Sequence, residues 1–174
     1  KQSDFQEIDS FDSIYSIKTL KNKKIALSSY KEVLIYNKKF TKIKFKIESD
    51  ISSPEIFELS NNKIILYSHS SNFFEFYDTQ EQSYEYIWNF KAHDEGISSI
   101  VELKNGSIIT FSNDLKTAKI WKENDFNLFE LLGVLDLTIE ADRLIETQVG
   151  NIITYYEYEN NALVWSLDNL KYSM

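Results

Sequence analysis

The sequence predicts an all-β fold made of about four copies of one short antiparallel unit. Three observations carry this. First, an apolar pair closing on an aromatic ring recurs in VLIYN, FEFYD, AKIWK and ALVWS; the rings are Tyr36, Tyr77, Trp121 and Trp165, spaced by 41, 44 and 44 residues. Second, a Lys/Ser/Asn-Ile step follows a turn signal at Lys24-Ile25, Lys63-Ile64, Ser107-Ile108 and Asn151-Ile152, with the Ile residues 39, 44 and 44 apart. Third, apolar periods are short throughout, and no segment carries a sustained helical stripe. Repeats of roughly 40–45 residues with four short strands each are the pattern of β-propeller blades.

The elements follow in chain order. In the first unit SIYSIKTL, KIALSS, EVLIYN and KFTKIKFKI read as four strands joined by hairpins. In the second unit Ile56 and Leu59 mark the inner strand, Lys63 to Ser68 the next, Phe74 to Asp78 the third, and YEYIWNF the outer one. The third unit repeats the order with Ile97, Ile100 and Leu103, then Ile108 to Ser112, then Thr117 to Trp121. In the fourth, Leu144 stands alone for the inner strand, before Asn151-Ile152-Ile153 and Ala162 to Ser166. The units fall at about 11–48, 51–91, 92–136 and 137–174 of a single domain spanning 1–174; residues 4–8 read as the outer strand of a preceding unit. Turn chemistry rests on Asn, because the chain has four Gly and one Pro, and Asn tolerates the left-handed backbone that turns need. Asn105-Gly106-Ser107 matches a glycosylation acceptor and reads first as such a turn.

Composition excludes several functions. There is no Cys, so disulfides, thiolate catalysis and Cys-based zinc sites are absent. The two His residues, His69 and His93, have no neighbours at metal-ligand spacing, and neither has the partners of a nucleophilic triad. Asp94-Glu95 and Glu157/Glu159 lack the oxygen-cage loop that Ca²⁺ requires. No Gly-rich phosphate loop occurs, no apolar run is long enough to span a bilayer, and no secretory leader is visible, although Lys1 in place of Met suggests a start upstream. No cofactor and no enzymatic activity are expected.

Net charge is −8, divided unevenly: residues 1–50 sum to +4 and residues 51–174 to −12. An acidic chain is a poor nucleic-acid ligand, because phosphate contacts need clustered cations. The exception is Lys38–Lys46, which reads either as a Lys-guarded edge strand or as a small anion- or lipid-binding patch.

The stretch from Phe90 to Trp121 resembles a WD40 repeat. Phe90-Lys91-Ala92-His93 is similar to the family's strand end and Gly-His step, with Ala for Gly. The resemblance implies a WD40-like propeller, and within it a structural hydrogen-bond network of His93, Ser112, Asp114 and Trp121. The Asp114 to Trp121 spacing is one residue longer than the commonest pattern. At the His93 position the other units carry Ser10, Ser49 and Leu137.

A propeller of this kind implies a non-catalytic protein-interaction scaffold inside the cell, cytoplasmic or nuclear, and a candidate subunit of a larger assembly. The alternative is the recognition domain of a multidomain enzyme, such as a ubiquitin ligase or kinase, whose catalytic part lies elsewhere. Expected partners are proteins, with no nucleic acid and no membrane span. Candidate partner-facing residues are Tyr30, Asn72, Asp94, Glu95, Asn113 and Lys116 on the inter-strand loops, and Trp88 on an outer strand, which reads either as packing on a neighbour or as an exposed rim anchor. Four units are few for a closed ring. The chain is therefore expected to be part of a longer propeller, an open one completed by a partner or a second copy, or a self-sufficient small ring.

Overall fold

Fifteen strands and no helix make up the described residues (13–79, 83–112, 114–156, 158 and 160–166) of the computed structural model. The first sheet holds β1 (Ser16–Thr19), β2 (Ile25–Ser28), β3 (Glu32–Tyr36) and β4 (Ile43–Glu48). The second holds β5 (Glu55–Glu58), β6 (Lys63–Ser68), β7 (Ser71–Asp78) and β8 (Glu85–Lys91). β9 (Ile97–Glu102), β10 (Ile108–Ser112), β11 (Thr117–Glu123) and β12 (Phe129–Asp136) form the third; β13 (Arg143–Glu146), β14 (Ile152–Tyr155) and β15 (Ala162–Trp165) form the last. Each sheet is an antiparallel meander in sequence order. The expectation of an outer strand in residues 4–8, and of one near Leu170, lies outside the described residues, as do Ser10, Asp12, Asn113, Glu157 and Glu159.

Turn geometry repeats with the sequence. The turn between the first two strands of each sheet puts a left-handed residue at Lys23, Asn62, Gly106 and Gly150, with φ of 64°, 65°, 80° and 87°. Asn22, Asn61 and Asn105 each accept the backbone N–H two residues on, at 3.0, 3.3 and 2.9 Å. The Asn side chain thus imitates a backbone turn and supports the strained residue beside it. This explains how a chain with so few glycines makes so many hairpins.

A β-bulge precedes each closing aromatic of the four-stranded sheets. The register slips between Ile35 and Tyr36, between Phe76 and Tyr77, and between Ile120 and Trp121. The extra residue lies in the outer strand, which it bends and twists at the rim.

Alternate faces of each sheet enter different cores. Ala26, Val33, Ile35 and Ile47 of the first sheet meet Ile56, Ile64, Leu66 and Tyr77 of the second. Phe74 and Phe76 of the second meet Ile100, Ile108, Trp121 and Phe129 of the third. Ile109, Phe111 and Ile120 of the third meet Ile152, Leu144 and Trp165 of the fourth. Three apolar interfaces between four successive sheets are the stacking of blades around an arc.

Candidate functional site: interblade ties and a rim groove

The closing aromatics sit on the face of their sheet that turns toward the preceding blade. In the third blade Trp121 Nε1 donates to Thr110 Oγ1 at 2.9 Å, and Thr110 Oγ1 lies 2.8 Å from His93 Nε2. All three are buried. The indole N–H donates to the hydroxyl, and the Thr110 hydroxyl and His93 Nε2 share a second hydrogen bond. Burial, helped by the nearby Lys119 cation, pushes the His93 pKa down to about 4. Lys119 Nζ in turn donates to the Ala92 carbonyl at 2.8 Å.

The expected network is corrected in two members. The bridging hydroxyl is Thr110, not Ser112. Ser112 is buried at the end of β10, where its carbonyl accepts from Leu115 N at 3.0 Å. Asp114 is exposed and caps the same turn by accepting from Lys116 N at 2.9 Å. The register explains the exchange. Trp121 pairs with Ile108, so Thr110 is one same-face step from the indole and Ser112 is two. At about 3.3 Å per residue, the second step is out of reach.

The other blades solve the same problem differently. Trp165 Nε1 donates to Thr154 Oγ1 at 2.9 Å, and Leu137 replaces the histidine. In the second blade the strand position of Thr110 is Leu66, and the polar role moves across the ladder to its partner, Glu75. The buried Glu75 carboxylate accepts from Ser49 Oγ at 2.7 Å, Asp50 N at 2.9 Å and Tyr77 OH at 3.0 Å. The His93 and Glu75 ties fix the loop that enters a blade against the body of that blade.

A second set of ties lies at the opposite rim. Glu58, Glu102 and Glu146, at the ends of β5, β9 and β13, accept the backbone N–H of Lys21, Ser60 and Lys104 in the preceding blade at 2.8, 2.8 and 2.9 Å. The sequence signal was present: these acids recur at 44-residue intervals. Lys63, buried beneath the second blade, pairs with Glu123 of the third.

An open groove of about 970 Å³ lies between the first two blades, beside the loops that enter them, and Tyr30, Lys31, Glu48, Asp50, Tyr77 and Tyr86 are among the residues that line it. The Tyr77 and Tyr86 rings meet edge to face at 5.7 Å. Burial and the Glu75 and Asp50 carboxylates raise the phenol pKa of Tyr86, so this side chain stays uncharged. Lys46 is held by Glu32 at 2.7 Å. The same ammonium lies 3.8 Å from Glu48, so Lys46 bridges the two glutamates, and Asp50 is an exposed carboxylate of the groove.

The candidate partner-facing residues separate into two groups. Tyr30, Asp94, Glu95 and Lys116 are exposed on loops. Asp94 accepts from Lys91 Nζ at 2.7 Å. Asn72 is corrected: it lies in β7, because the turn before it is only His69-Ser70, and its carbonyl accepts from Ala92 N at 2.8 Å. Trp88 takes the packing alternative. Its ring stacks on Phe76 at 5.2 Å and on Phe90 at 4.7 Å, within the aromatic cluster that fills the second interface. His69, in its turn, lies 3.4 Å from Glu55. Lys38–Lys46 runs into β4, the outermost strand of the first blade.

Gly96 shows how tightly the entering loop approaches its neighbour. A Cβ on it would lie 1.7 Å from the carbonyl oxygen of His69. Among the described residues no group of three or more His, Asp or Glu could hold a metal ion, and no helix is long and apolar enough to cross a membrane.

The fold is that of a WD40-like β-propeller, represented here by an arc of blades. The WD40 β-propeller domain of Doa1 superposes with a TM-score of 0.64 at 18% identity, over 93% of this chain and 53% of that one. A protein from Lactobacillus plantarum gives 0.68 at 14% identity, over 92% and 53%. The chain thus spans about half the length of the propellers it resembles. No family model matches the sequence, and no curated protein does. Propellers of this kind commonly mediate protein interactions.

Proposed function

We propose that the chain is a non-catalytic interaction scaffold, one component of a larger assembly, that receives an extended protein segment of basic or mixed charge at its loop rim. The groove between the first two blades carries this reading. The exposed Tyr30 and Tyr86 offer flat apolar area with hydroxyl tips, and Asp50 offers a carboxylate beside them. Tyrosine combines large contact area with a small loss of rotamer freedom, and cations favour aromatic faces. The ties of Glu75 and His93 support the same reading, because a loop surface binds well when it is rigid before the partner arrives.

The test is fluorescence anisotropy with a set of extended peptides graded from acidic to basic. Basic and mixed peptides bind and acidic ones do not. Tyr86→Ala and Asp50→Lys each weaken binding by about tenfold, the loss typical of an interface anchor. Equal binding of all peptides, or unchanged affinity in both variants, would overturn the assignment.

A further inference from the structure

The cleft between the first two blades already seats a cation of this chain on aromatic rings. Lys24 Nζ lies 5.0 Å from the centre of the Phe45 ring in the first blade and 5.2 Å from that of Tyr84 in the second. The two rings are 5.0 Å apart. Two residues further along, Tyr86 is 54% exposed in the same cleft, and Tyr30 is 60% exposed. Among the described residues no lysine lies over either ring. Asp50 is exposed beside them and makes no ion pair among the described residues.

These groups are held in place before any ligand arrives. The buried Glu75 carboxylate accepts from Asp50 N–H at 2.9 Å and from Tyr77 OH at 3.0 Å, and the Tyr77 ring meets Tyr86 edge to face. One carboxylate thus fixes both the backbone of Asp50 and the ring behind Tyr86. The groove lining carries four carboxylates, of Glu32, Glu48, Asp50 and Glu75, against the ammonium groups of Lys31 and Lys46. The excess negative charge favours a cation. We propose that the segment received in this groove is anchored by an arginine side chain, its guanidinium stacked on the Tyr86 ring and paired with Asp50. The proposal rests on the reading of the groove as the receiver of a basic or mixed-charge segment. A guanidinium is planar and weakly hydrated, so it can lie flat on a ring while its N–H fork meets a carboxylate. An ammonium is a compact, strongly hydrated point charge and gains less from that combination. The Lys24 site shows the contrast: two rings, no paired carboxylate, and an ammonium.

The test uses the tightest-binding member of the graded peptide set, made with every basic position as Arg, as Lys or as citrulline. Each version is titrated against the 174-residue chain by fluorescence anisotropy. The Arg version binds about tenfold tighter than the Lys version, whose charge is the same, and the uncharged citrulline version binds weakest. Asp50→Asn, an isosteric change at an exposed side chain, keeps the β spectrum and brings the Arg-to-Lys ratio to about one. Tyr86→Leu, which keeps apolar area but removes the ring face, does the same. Equal affinity of the Arg and Lys versions, or a preference that survives either variant, overturns the arginine anchor and leaves the scaffold reading standing. Absence of binding by every peptide of the set overturns both.

Discussion

Lowering the pH from 7.5 to 5.0 should weaken this protein through one side chain, His93. It is 2% exposed beside the Lys119 cation, so protonation in the native state would put a second positive charge into a buried site. The native pKa of about 4 lies below the ordinary 6.5. The unfolded chain therefore binds the proton more readily than the folded one. The stabilisation is complete above pH 6.5 and is lost progressively as pH falls toward 4. Between these values the full difference is about 3 kcal/mol, at roughly 1.4 kcal/mol per unit. At pH 5.0 the same linkage gives a loss of about 2 kcal/mol relative to neutral pH. Urea unfolding followed by tryptophan fluorescence at the two pH values reads it directly. His93→Gln, which cannot titrate, should lose about 2 kcal/mol less than the wild type over this interval, while background carboxylate titration is common to both. Equal losses in the two proteins would refute the neutral, buried imidazole.

Glu75→Ala should destabilise by about 3 kcal/mol or more in urea melts, because Ser49, Asp50 N–H and Tyr77 lose a shared buried acceptor. Glu75→Gln, which keeps one carbonyl oxygen, should cost less than half of that, and an equal cost would show that the hydrogen bonds are not the cause. Gly96→Ala should cost about 1–3 kcal/mol in the same melts, because the new methyl meets the fixed backbone carbonyl of His69; a neutral result would mean that the loop moves freely. Lys23→Gly should stabilise by about 0.5–1 kcal/mol, since φ of 64° strains a side chain there and the turn bonds are kept; a destabilised variant would indicate that chain entropy outweighs the strain.

Much of the fold was readable from local pattern. Strand periodicity, the Asn-supported turns and the 44-residue recurrence of closing aromatics are properties of neighbouring residues, and each survives in the structure at the positions where the sequence shows it. The polar ties were less readable. A Glu inside the apolar run FFEFYD is a visible anomaly, but its partners Ser49 and Asp50 lie in the loop that enters the blade, 26 and 25 residues away. Thr110 and Ser112 are both buried and share one face of β10, so their order along the strand does not tell which one meets Trp121. Asn72 was placed in a loop, but a two-residue turn puts it in a strand. For Trp88 the outer strand was legible, and stacking against Phe76 chose packing over an exposed anchor.

The sequence by itself determined that this chain is all-β, repeated four times, free of cysteine chemistry, and basic at one end and acidic toward the other. These properties follow from composition and short-range periodicity, which need no knowledge of which strand lies beside which. Only the tertiary structure decided which hydroxyl bridges His93 to Trp121 and which carboxylate is buried between the first two blades. Such contacts depend on strand register and on the stacking of one sheet over the next. A step of two residues along a strand is about 6–7 Å, which is enough to make or break a hydrogen bond while leaving the sequence pattern unchanged.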